Sequence, residues 1–203
     1  MPTLYPLLLD VSNLLCVIIG GGAVASRKAH GLIAAGAQRI NVIAPDISPN
    51  IPASAHQIRE PYQPHHLDGA SLVFAATSIP SINDAIVRDA RARNIFVTRA
   101  DTDDDLPGDF LTPAQFTRGP VSIAVSAASP ALSVMIRDHL ASTWNPAWTA
   151  LAQAMIELRP EIKNLPDESQ RRALFRKLAT QEAMDILTTS GLPALRTWIE
   201  RSE

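Results

Sequence analysis

The sequence predicts an α/β protein in which a parallel sheet domain is followed by a second, mainly helical module. Three observations support this prediction. Apolar runs of strand length alternate with helical patterns through the first half of the chain, three consecutive glycines follow the first run, and the pattern after Pro130 is almost entirely helical. Strands that alternate with helices form right-handed βαβ units, so the first half is predicted to adopt a Rossmann-type sheet.

The elements of the first half follow one another in order along the chain. Residues 14–19 form a continuous apolar run, which is typical of a strand covered on both faces. After the glycines, Ala25, Ala29 and Leu32 recur at helical spacing, and Gly36 is placed to end that helix. The remaining predicted strands are RINVIAP, HQIRE, SLVFAAT and IFVT, and a second helix is predicted at SINDAIVRDARARN, beginning at Ser81.

The pattern changes near Pro107, where the alternation of strands and helices stops. DFLTPAQF and GPVSIAVS look extended, and the TRG between them predicts a turn. Helices are predicted from Pro130 onward with breaks at NP, NLPDES and SGLP, and Ser129 and Asp167 are placed to cap two of them. This half lacks the pattern of a parallel sheet, so it is predicted to be a separate module.

Composition limits the classes of function. The 203 residues carry a net charge of −2, with 46% apolar and 19% charged side chains, which indicates a globular protein without a global attraction to nucleic acid or anionic membrane. No apolar run reaches the roughly 20 residues that cross a bilayer, and MPTLYPLLLD lacks the basic flank of a signal peptide, so a cytoplasmic location is expected. The single cysteine, Cys16, is predicted to be inert core packing.

The glycine-rich bend carries the first functional prediction. Gly20, Gly22 and Ala25 match the pattern G-x-G-x-x-G/A between a strand and a helix. The first position permits a tight turn, the second lets the backbone approach a pyrophosphate, and the third allows close packing of helix on strand. Glycine turns also occur in sheets that bind nothing, but this context favours a dinucleotide. The predicted cofactor loop consists of Gly20, Gly21, Gly22, Ala23 and Val24.

The end of the second predicted strand bears on the choice of dinucleotide. An acidic residue often binds the ribose there, but Ala44 and Pro45 occupy the strand tip and Asp46 follows slightly late. No arginine follows the tip to favour a 2′-phosphate. NAD is therefore predicted rather than NADP, with Ala44, Pro45 and Asp46 beside it.

Several blocks of the sequence resemble one known family. GGGAVASRKAHGLIAAGA is similar to the GGGxVAxRKxxxLLxxGA stretch of the siroheme synthase N-terminal domain, the precorrin-2 dehydrogenase/sirohydrochlorin ferrochelatase family. LYPLLLDV resembles its LPLFLDL opening, LVFAATSIPSIN its LVIAATDDxxVN, and IFVTRAD its IxxNVVD. DFLTPAQFTRGPVSIAVS resembles its SFIxPAxxxRGPLxIAVS, and SPALSVMIRDHL its SPxLARxLRxxLE. The blocks occur in the family's order across residues 4–140.

The resemblance implies a chemistry and an assembly. Family members oxidise precorrin-2 to sirohydrochlorin, passing a hydride to NAD and a proton to a base or to solvent, and many then insert ferrous iron to give siroheme. The implied organisation is an NAD-binding Rossmann-type domain at residues 1–112, a dimerisation segment at 113–145 and a helical C-terminal module at 146–203. The chain is therefore expected to form a homodimer that binds precorrin-2 or sirohydrochlorin, with ferrous iron as the substrate of a second activity.

The resemblance also implies roles for individual residues. Asp101 aligns with the family's acid/base aspartate, and Thr77 and Asn83 fall in a block expected near the cofactor. By position alone, a helix cap or loop carboxylate is favoured over a catalytic role for Asp101, and Asn83 either forms a hydrogen bond near the cofactor or faces a neighbouring loop. A polycarboxylate substrate predicts basic residues at the cleft, where Arg118 and Arg137 match family positions. Ser126 is a hydroxyl candidate for the substrate, or a buried strand-end serine.

Two departures from the family pattern leave alternatives open. Clustered carboxylates after Asp101 suit a hard cation or raise one another's pKa, although most such runs are solvated loops. The turn in VSAASPALS is shorter than the family's Ser/Gly-rich turn, which favours a dehydrogenase without chelatase activity. A non-catalytic sensor of NAD or tetrapyrrole is the third alternative. The acidic run consists of Asp103, Asp104, Asp105 and Asp109.

The histidines do not define a metal site in the sequence. His65 and His66 are adjacent beside Pro64, so their side chains are expected to diverge along an extended backbone. The others are isolated, and the metal ligands stay unassigned. A chelatase needs no permanent cage, because the four nitrogens of its substrate supply the final ligands.

Overall fold

The computed structural model describes residues 4–101 and 107–201. The chain forms two compact units, Met1–Leu111 and Thr112–Glu203. Their boundary lies close to the predicted end of the sheet domain at residue 112. The further division predicted after residue 145 stays a prediction.

The amino-terminal unit is built on one parallel sheet of five strands. The elements are β1 Leu15–Ile19, α1 Ala23–Ala34, β2 Arg39–Ile43, β3 His56–Ile58, a 3-10 helix Pro64–Leu67, β4 Leu72–Ala75, α2 Pro80–Ala92 and β5 Phe96–Arg99. The strand order is β3-β2-β1-β4-β5, so the chain runs outward from β1 to β3 and then crosses to the other side of β1. The carboxyl ends of β1 and β4 meet at this reversal, which is where doubly wound sheets bind their ligands.

Helices cover the sheet on both faces, which confirms the predicted α/β fold. Along β1, Cys16 and Ile18 belong to the core that includes α1, whereas Val17 and Ile19 belong to the core that includes α2. Successive side chains of a strand point to opposite faces, so a strand between two helical layers must be apolar throughout. Burial raises the pKa of the Cys16 thiol to about 11, which suits its predicted role as core packing.

A short segment closes the outer edge of the sheet. The N–H of Asp109 donates to the carbonyl of Val97 in β5 (2.6 Å), and the Asp109 carboxylate accepts the N–H of Val97 (3.1 Å). A Cβ on Gly108 would lie 2.8 Å from the Cα of Thr98, so only glycine fits there. Arg91 of α2 donates to Asp109 at 2.9 Å. We call residues 107–110 the edge segment. Asp109 has a structural role, because it attaches this segment to β5 and α2.

The carboxy-terminal unit combines a β-hairpin with four helices. Its antiparallel strands pair from Ala114 with Val125 to Arg118 with Val121, which agrees with the turn predicted at TRG. The elements are β6 Ala114–Arg118, β7 Val121–Val125, α3 Pro130–Ser142, α4 Pro146–Lys163, α5 Glu168–Leu178 and α6 Gln181–Glu200. Ser129 and Asp167 cap α3 and α5 as predicted, and the predicted break at SGLP is a kink at Gly191 within α6.

Burial is unevenly distributed in this second unit. The helices α4, α5 and α6 share a core that includes Leu158, Leu178 and Leu195, each fully buried. In α3 the buried residue is Ser133, whereas Met135 is 63% exposed. The apolar side chains of α3 therefore lie largely at the surface of the chain. No helix among the described residues has both the length and the hydropathy to span a bilayer.

Truncation of a core leucine is expected to destabilise the carboxy-terminal unit. Leu158→Ala removes a side chain that is 0% exposed and should cost about 2–5 kcal/mol of unfolding free energy, because the cavity closes only partially. Ile156→Ala, on the same helix but 49% exposed, is the matched control and should change stability by less than about 1 kcal/mol. Urea unfolding followed by circular dichroism measures both. Equal losses in the two variants would contradict the assigned core.

Candidate active site

The glycine bend after β1 is held between the loops that follow its two neighbouring strands. Gly20 has φ +130° and donates its N–H to the carbonyl of Ile43 (2.8 Å). A Cβ on Gly20 would lie 2.3 Å from the carbonyl oxygen of Ala76, and one on Gly21 would lie 1.9 Å from that of Asp46. Backbone atoms of the neighbouring loops therefore occupy the space that a Cβ on Gly20 or Gly21 would need, so both positions require glycine.

The start of α1 fits an anion. Gly22 is the N-cap and provides no side-chain hydrogen bond to the first turn, which also lacks acidic residues. The first amide hydrogen bond of the helix runs from Ser26 to the Gly22 carbonyl (3.0 Å). A Cβ on Gly22 would meet nothing within 4 Å, so the space beside this turn is open. The helix amino terminus attracts negative charge, and these features fit the pyrophosphate of a dinucleotide.

The loop after β2 lies beside the glycine bend. The N–H of Ala44 donates to the carbonyl of Ile58 (3.1 Å), and the N–H of Ser48 donates to the carbonyl of Gly21 (2.9 Å). Pro45 and Asp46 are exposed between these two anchors. The predicted cofactor residues of this loop are therefore adjacent to the glycines, although their contact with a ribose stays a prediction.

A buried asparagine connects the neighbourhood of the bend to the predicted acid. A Cβ on Gly20 would also lie 3.2 Å from the backbone nitrogen of Thr77. The side-chain oxygen of Asn83, which is 0% exposed, accepts the Thr77 hydroxyl (2.8 Å) and backbone N–H (3.2 Å). Its amide group donates to the Thr77 carbonyl (3.1 Å) and to Asp101 (2.9 Å). The Thr77 backbone thus lies close to Gly20, and hydrogen bonds run from Thr77 through Asn83 to Asp101.

Arg99, at the end of β5, is a residue that the sequence reasoning missed. Its Nε and one terminal nitrogen donate to the two oxygens of Asp101, at 2.6 and 2.7 Å. Another terminal nitrogen donates to Asp84 of α2 at 2.8 Å. The side chain is only 3% exposed. An arginine two positions before the predicted acid was the available signal, because residues i and i+2 of an extended segment lie on the same side.

The environment of Asp101 favours its ionised form. The hydrogen bonds from Arg99 are the main reason that the pKa of Asp101 is lowered to about 2; burial acts in the opposite direction, and the Asn83 hydrogen bond adds to the lowering. The same contacts raise the pKa of Arg99 above its ordinary value. Asp101 is therefore a carboxylate at neutral pH and a weak proton acceptor. A weak proton acceptor is poorly suited to the acid/base role that the resemblance implies.

The lowered pKa predicts how stability depends on pH. The pKa of Asp101 falls from 3.8 to about 2 on folding, so the native state binds fewer protons than the unfolded state near these values. The contribution, on the order of 2 kcal/mol, is present above about pH 4 and is lost as the pH falls toward 2. The difference in unfolding free energy between wild type and Asp101→Asn should shrink between about pH 7 and pH 3. A constant difference would contradict the lowered pKa.

The predicted substrate residues lie in the carboxy-terminal unit. Arg118 ends β6, with its guanidinium carbon 5.5 Å from the centre of the Phe116 ring, and Arg137 of α3 pairs with Asp138 at 2.6 Å. Ser126 is exposed, so the alternative of a buried strand-end serine is wrong. Binding of substrate by these residues stays a prediction. The acidic residues Asp103, Asp104 and Asp105 lie outside the described residues.

The expected divergence of His65 and His66 is wrong. Both belong to the 3-10 helix, not to an extended backbone, and their ring centres are 4.3 Å apart. Each offers a ligand atom that groups with Glu60 within 4.8 Å. However, His66 Nδ1 accepts the N–H of Gln63 (3.0 Å), which leaves the proton on Nε2 to donate to Glu60 (2.6 Å). Both ring nitrogens of His66 already have partners, so this cluster serves as a helix cap.

Comparisons with known proteins relate the chain to one family. Residues 7–114 match the family model described as "Putative NAD(P)-binding". Siroheme synthase of Chromobacterium violaceum is 31% identical over 97% of this chain and 43% of that protein, and siroheme synthase of Methylobacillus flagellatus is 33% identical over 84% and 37%. The chain thus spans less than half the length of these relatives.

A solved structure covers the whole length of the chain. It is described as "SirC, precorrin-2 dehydrogenase" and superposes with a TM-score of 0.78 at 25% identity, over 98% of this chain and 100% of that one. The likeness therefore includes both compact units, and the prediction of a nicotinamide dinucleotide as cofactor is confirmed. The chain belongs to the siroheme synthase N-terminal domain family, with an NAD(P)-binding amino-terminal unit.

Proposed function

We propose that the chain is an NAD-dependent dehydrogenase that oxidises precorrin-2 to sirohydrochlorin. The main support is the run of hydrogen bonds from Thr77, whose backbone lies close to the bend at Gly20, through Asn83 to Asp101. Asp101 follows the carboxyl end of β5, which is the same end of the parallel sheet as the glycine bend after β1, and this supports the proposal. The similarity to SirC points to the same substrate.

Different residues of the amino-terminal unit bind different parts of NAD in this proposal. Bound NAD supplies the hydride acceptor. Gly20 and Gly21 shape the bend, and the amino terminus of α1 at Gly22 faces the pyrophosphate. Residues 44–50 include Asp46 and no lysine or arginine, so a 2′-phosphate would lack a cation in this loop. We therefore favour NAD over NADP.

A homodimer is part of the proposal. Leu132 and Met135 of α3 are 37% and 63% exposed, and because they are three residues apart they lie on the same face of the helix. We propose that a second copy covers this face and that Arg118, Ser126 and Arg137 contribute to binding the polycarboxylate substrate. Light scattering should give the mass of two chains, and Met135→Lys should shift it toward one. A single-chain mass for the wild type would remove this part of the proposal.

Among the sequence-based alternatives, the contacts of Asp101 favour a dehydrogenase without chelatase activity. Metal insertion displaces pyrrole protons and needs a group to accept them. Asp101 is paired with the Arg99 guanidinium, which lowers its affinity for protons. Sirohydrochlorin mixed with ferrous iron should give siroheme at the same rate with and without the protein. A faster rate with the protein would establish the chelatase activity.

An anaerobic assay with precorrin-2 and NAD tests the main proposal. NADH absorbance should rise in proportion to the protein, and sirohydrochlorin should appear in equal amount. Omitting precorrin-2 is the control for background reduction. A protein that binds NAD but forms no NADH would instead be the non-catalytic sensor considered above.

A further inference from the structure

The pairing of Arg99 with Asp101 is a two-point contact. Nε and a terminal nitrogen of Arg99 each face one carboxylate oxygen, at 2.6 and 2.7 Å, and the remaining terminal nitrogen faces Asp84 at 2.8 Å. This arrangement fixes both the position and the plane of the carboxylate. Because the Arg99 side chain is 3% exposed, water competes weakly for these contacts.

The hydrogen-bond capacity of Asp101 is mostly used. Asp101 accepts two hydrogen bonds from Arg99 and one from Asn83, and its own backbone N–H also interacts with the carboxylate. Asn83 cannot turn away easily, because its oxygen and its amide group both bind Thr77. The Asp101 side chain remains 24% exposed, so a direction is left for a donor from outside the protein.

The charges around Asp101 leave a net negative group. The partners that face it among the described residues are Arg99 of β5 and Asn83 of α2, and Arg99 also contacts Asp84 of α2. The single positive charge of Arg99 is thus shared between the carboxylates of Asp101 and Asp84. The arrangement suits a cationic or N–H-donating ligand and disfavours transfer of a proton to Asp101.

We propose that Arg99 is a positioning residue that keeps Asp101 a fixed carboxylate, so that Asp101 stabilises positive charge on the substrate by accepting an N–H hydrogen bond and takes up no proton. This inference rests on the proposed dehydrogenase function. The hydride leaves a substrate carbon with its electron pair and reduces NAD⁺, the oxidised macrocycle carries the positive charge, and an N–H proton then passes to water. Asp101 ends the reaction as it began, and the step balances as precorrin-2 and NAD⁺ giving sirohydrochlorin, NADH and a proton.

The ionisation of Asp101 can be measured without activity. In protein labelled with carboxyl ¹³C-aspartate, the resonance that disappears in Asp101→Asn identifies the group. In the wild type it should stay ionised down to about pH 3, in Arg99→Val its midpoint should rise by about one pH unit or more, and in Arg99→Lys by less, because lysine keeps the charge but not the two-point contact. Arg91→Val, which removes the Arg91–Asp109 pair at the same sheet edge, is the matched control and should leave the midpoint unchanged.

Turnover gives a second, independent measurement. In the wild type, kcat should show no acid limb between about pH 5 and 8, because Asp101 does not titrate there. Arg99→Val should lower kcat by about tenfold or more with little change in NAD affinity, and Arg99→Lys should restore part of it. Arg91→Val should retain the wild-type kcat.

The outcomes separate the two proposals. The role of Arg99 would be overturned if kcat fell near neutral pH through protonation of Asp101. It would also be overturned if Arg99→Val left the titration midpoint of Asp101 unchanged. If the wild type binds NAD but never oxidises precorrin-2, the proposed function fails, and the ¹³C titration still decides whether Arg99 fixes the carboxylate. Loss of NAD binding in Arg99→Val, with Arg91→Val unaffected, would show that Arg99 supports the fold of the cofactor site and not the charge of Asp101.

Discussion

Gly20→Ala is expected to destabilise the amino-terminal unit by about 3 kcal/mol or more and to abolish NAD binding. Gly20 has φ +130°, which is strained for any side chain, and the new Cβ would lie 2.3 Å from the Ala76 carbonyl oxygen. Backbone cannot yield as a flexible side chain does, so the loop after β4 would have to move, and Thr77 lies in that loop. Urea unfolding and NAD titration calorimetry measure the two effects.

Gly22→Ala is the matched control for this experiment. Gly22 has an ordinary φ of −88°, and a Cβ there would meet nothing within 4 Å. The substitution should cost about 1 kcal/mol or less in stability yet raise the Kd for NAD about tenfold or more, because the methyl group enters the space assigned to the pyrophosphate. A stable Gly20→Ala protein, or a Gly22→Ala protein with unchanged NAD affinity, would contradict the assigned bend.

Asp101→Asn is expected to lower kcat by about 10²–10³ while leaving NAD affinity unchanged. The amide keeps the size of the carboxylate but removes the negative charge, so a developing positive charge on the substrate loses its partner. The glycine bend and the start of α1, where NAD is expected to bind, do not depend on that charge. Anaerobic steady-state kinetics and NAD calorimetry distinguish the two effects.

Asp109→Asn controls for the loss of a nearby carboxylate. Asp109 pairs with Arg91 and with the backbone of Val97, away from the carboxyl end of β5. Its replacement should lower stability by about 1–2 kcal/mol and leave kcat close to that of the wild type. If Asp101→Asn retained full turnover, or if Asp109→Asn lost as much, the functional assignment of Asp101 would fail.

Much of the fold was predictable because its signals are local in sequence. The apolar run at β1, the glycine bend and the capping residues Ser129 and Asp167 each depend on a few neighbouring positions. The bend was also identified as a site candidate from a short motif, and Asp101 from the family resemblance. Their connection through the buried Asn83 needed the structure, because Thr77, Asn83 and Asp101 are brought together only by packing.

The missed features involve contacts that sequence spacing does not encode. Arg99 belongs to no functional motif, and only the position of α2 brings Asp84 to it. His65 and His66 were expected to diverge because an extended backbone was assumed, whereas a 3-10 turn places their rings side by side. Both errors came from treating side chains as if their neighbours in sequence determined their surroundings.

The edge segment has a consequence for how the protein avoids aggregation. Val97 already exchanges hydrogen bonds with Asp109 on the outer side of β5, so a strand from another molecule finds neither donor nor acceptor at that point. This protection of the β5 edge depends on the Asp109 side chain, which Arg91 holds in place, as well as on the Asp109 backbone. A strand of another molecule can therefore pair with β5 only after the hydrogen bonds between Asp109 and Val97 break. Variants that weaken these hydrogen bonds should form fibrous aggregates before they lose their native secondary structure.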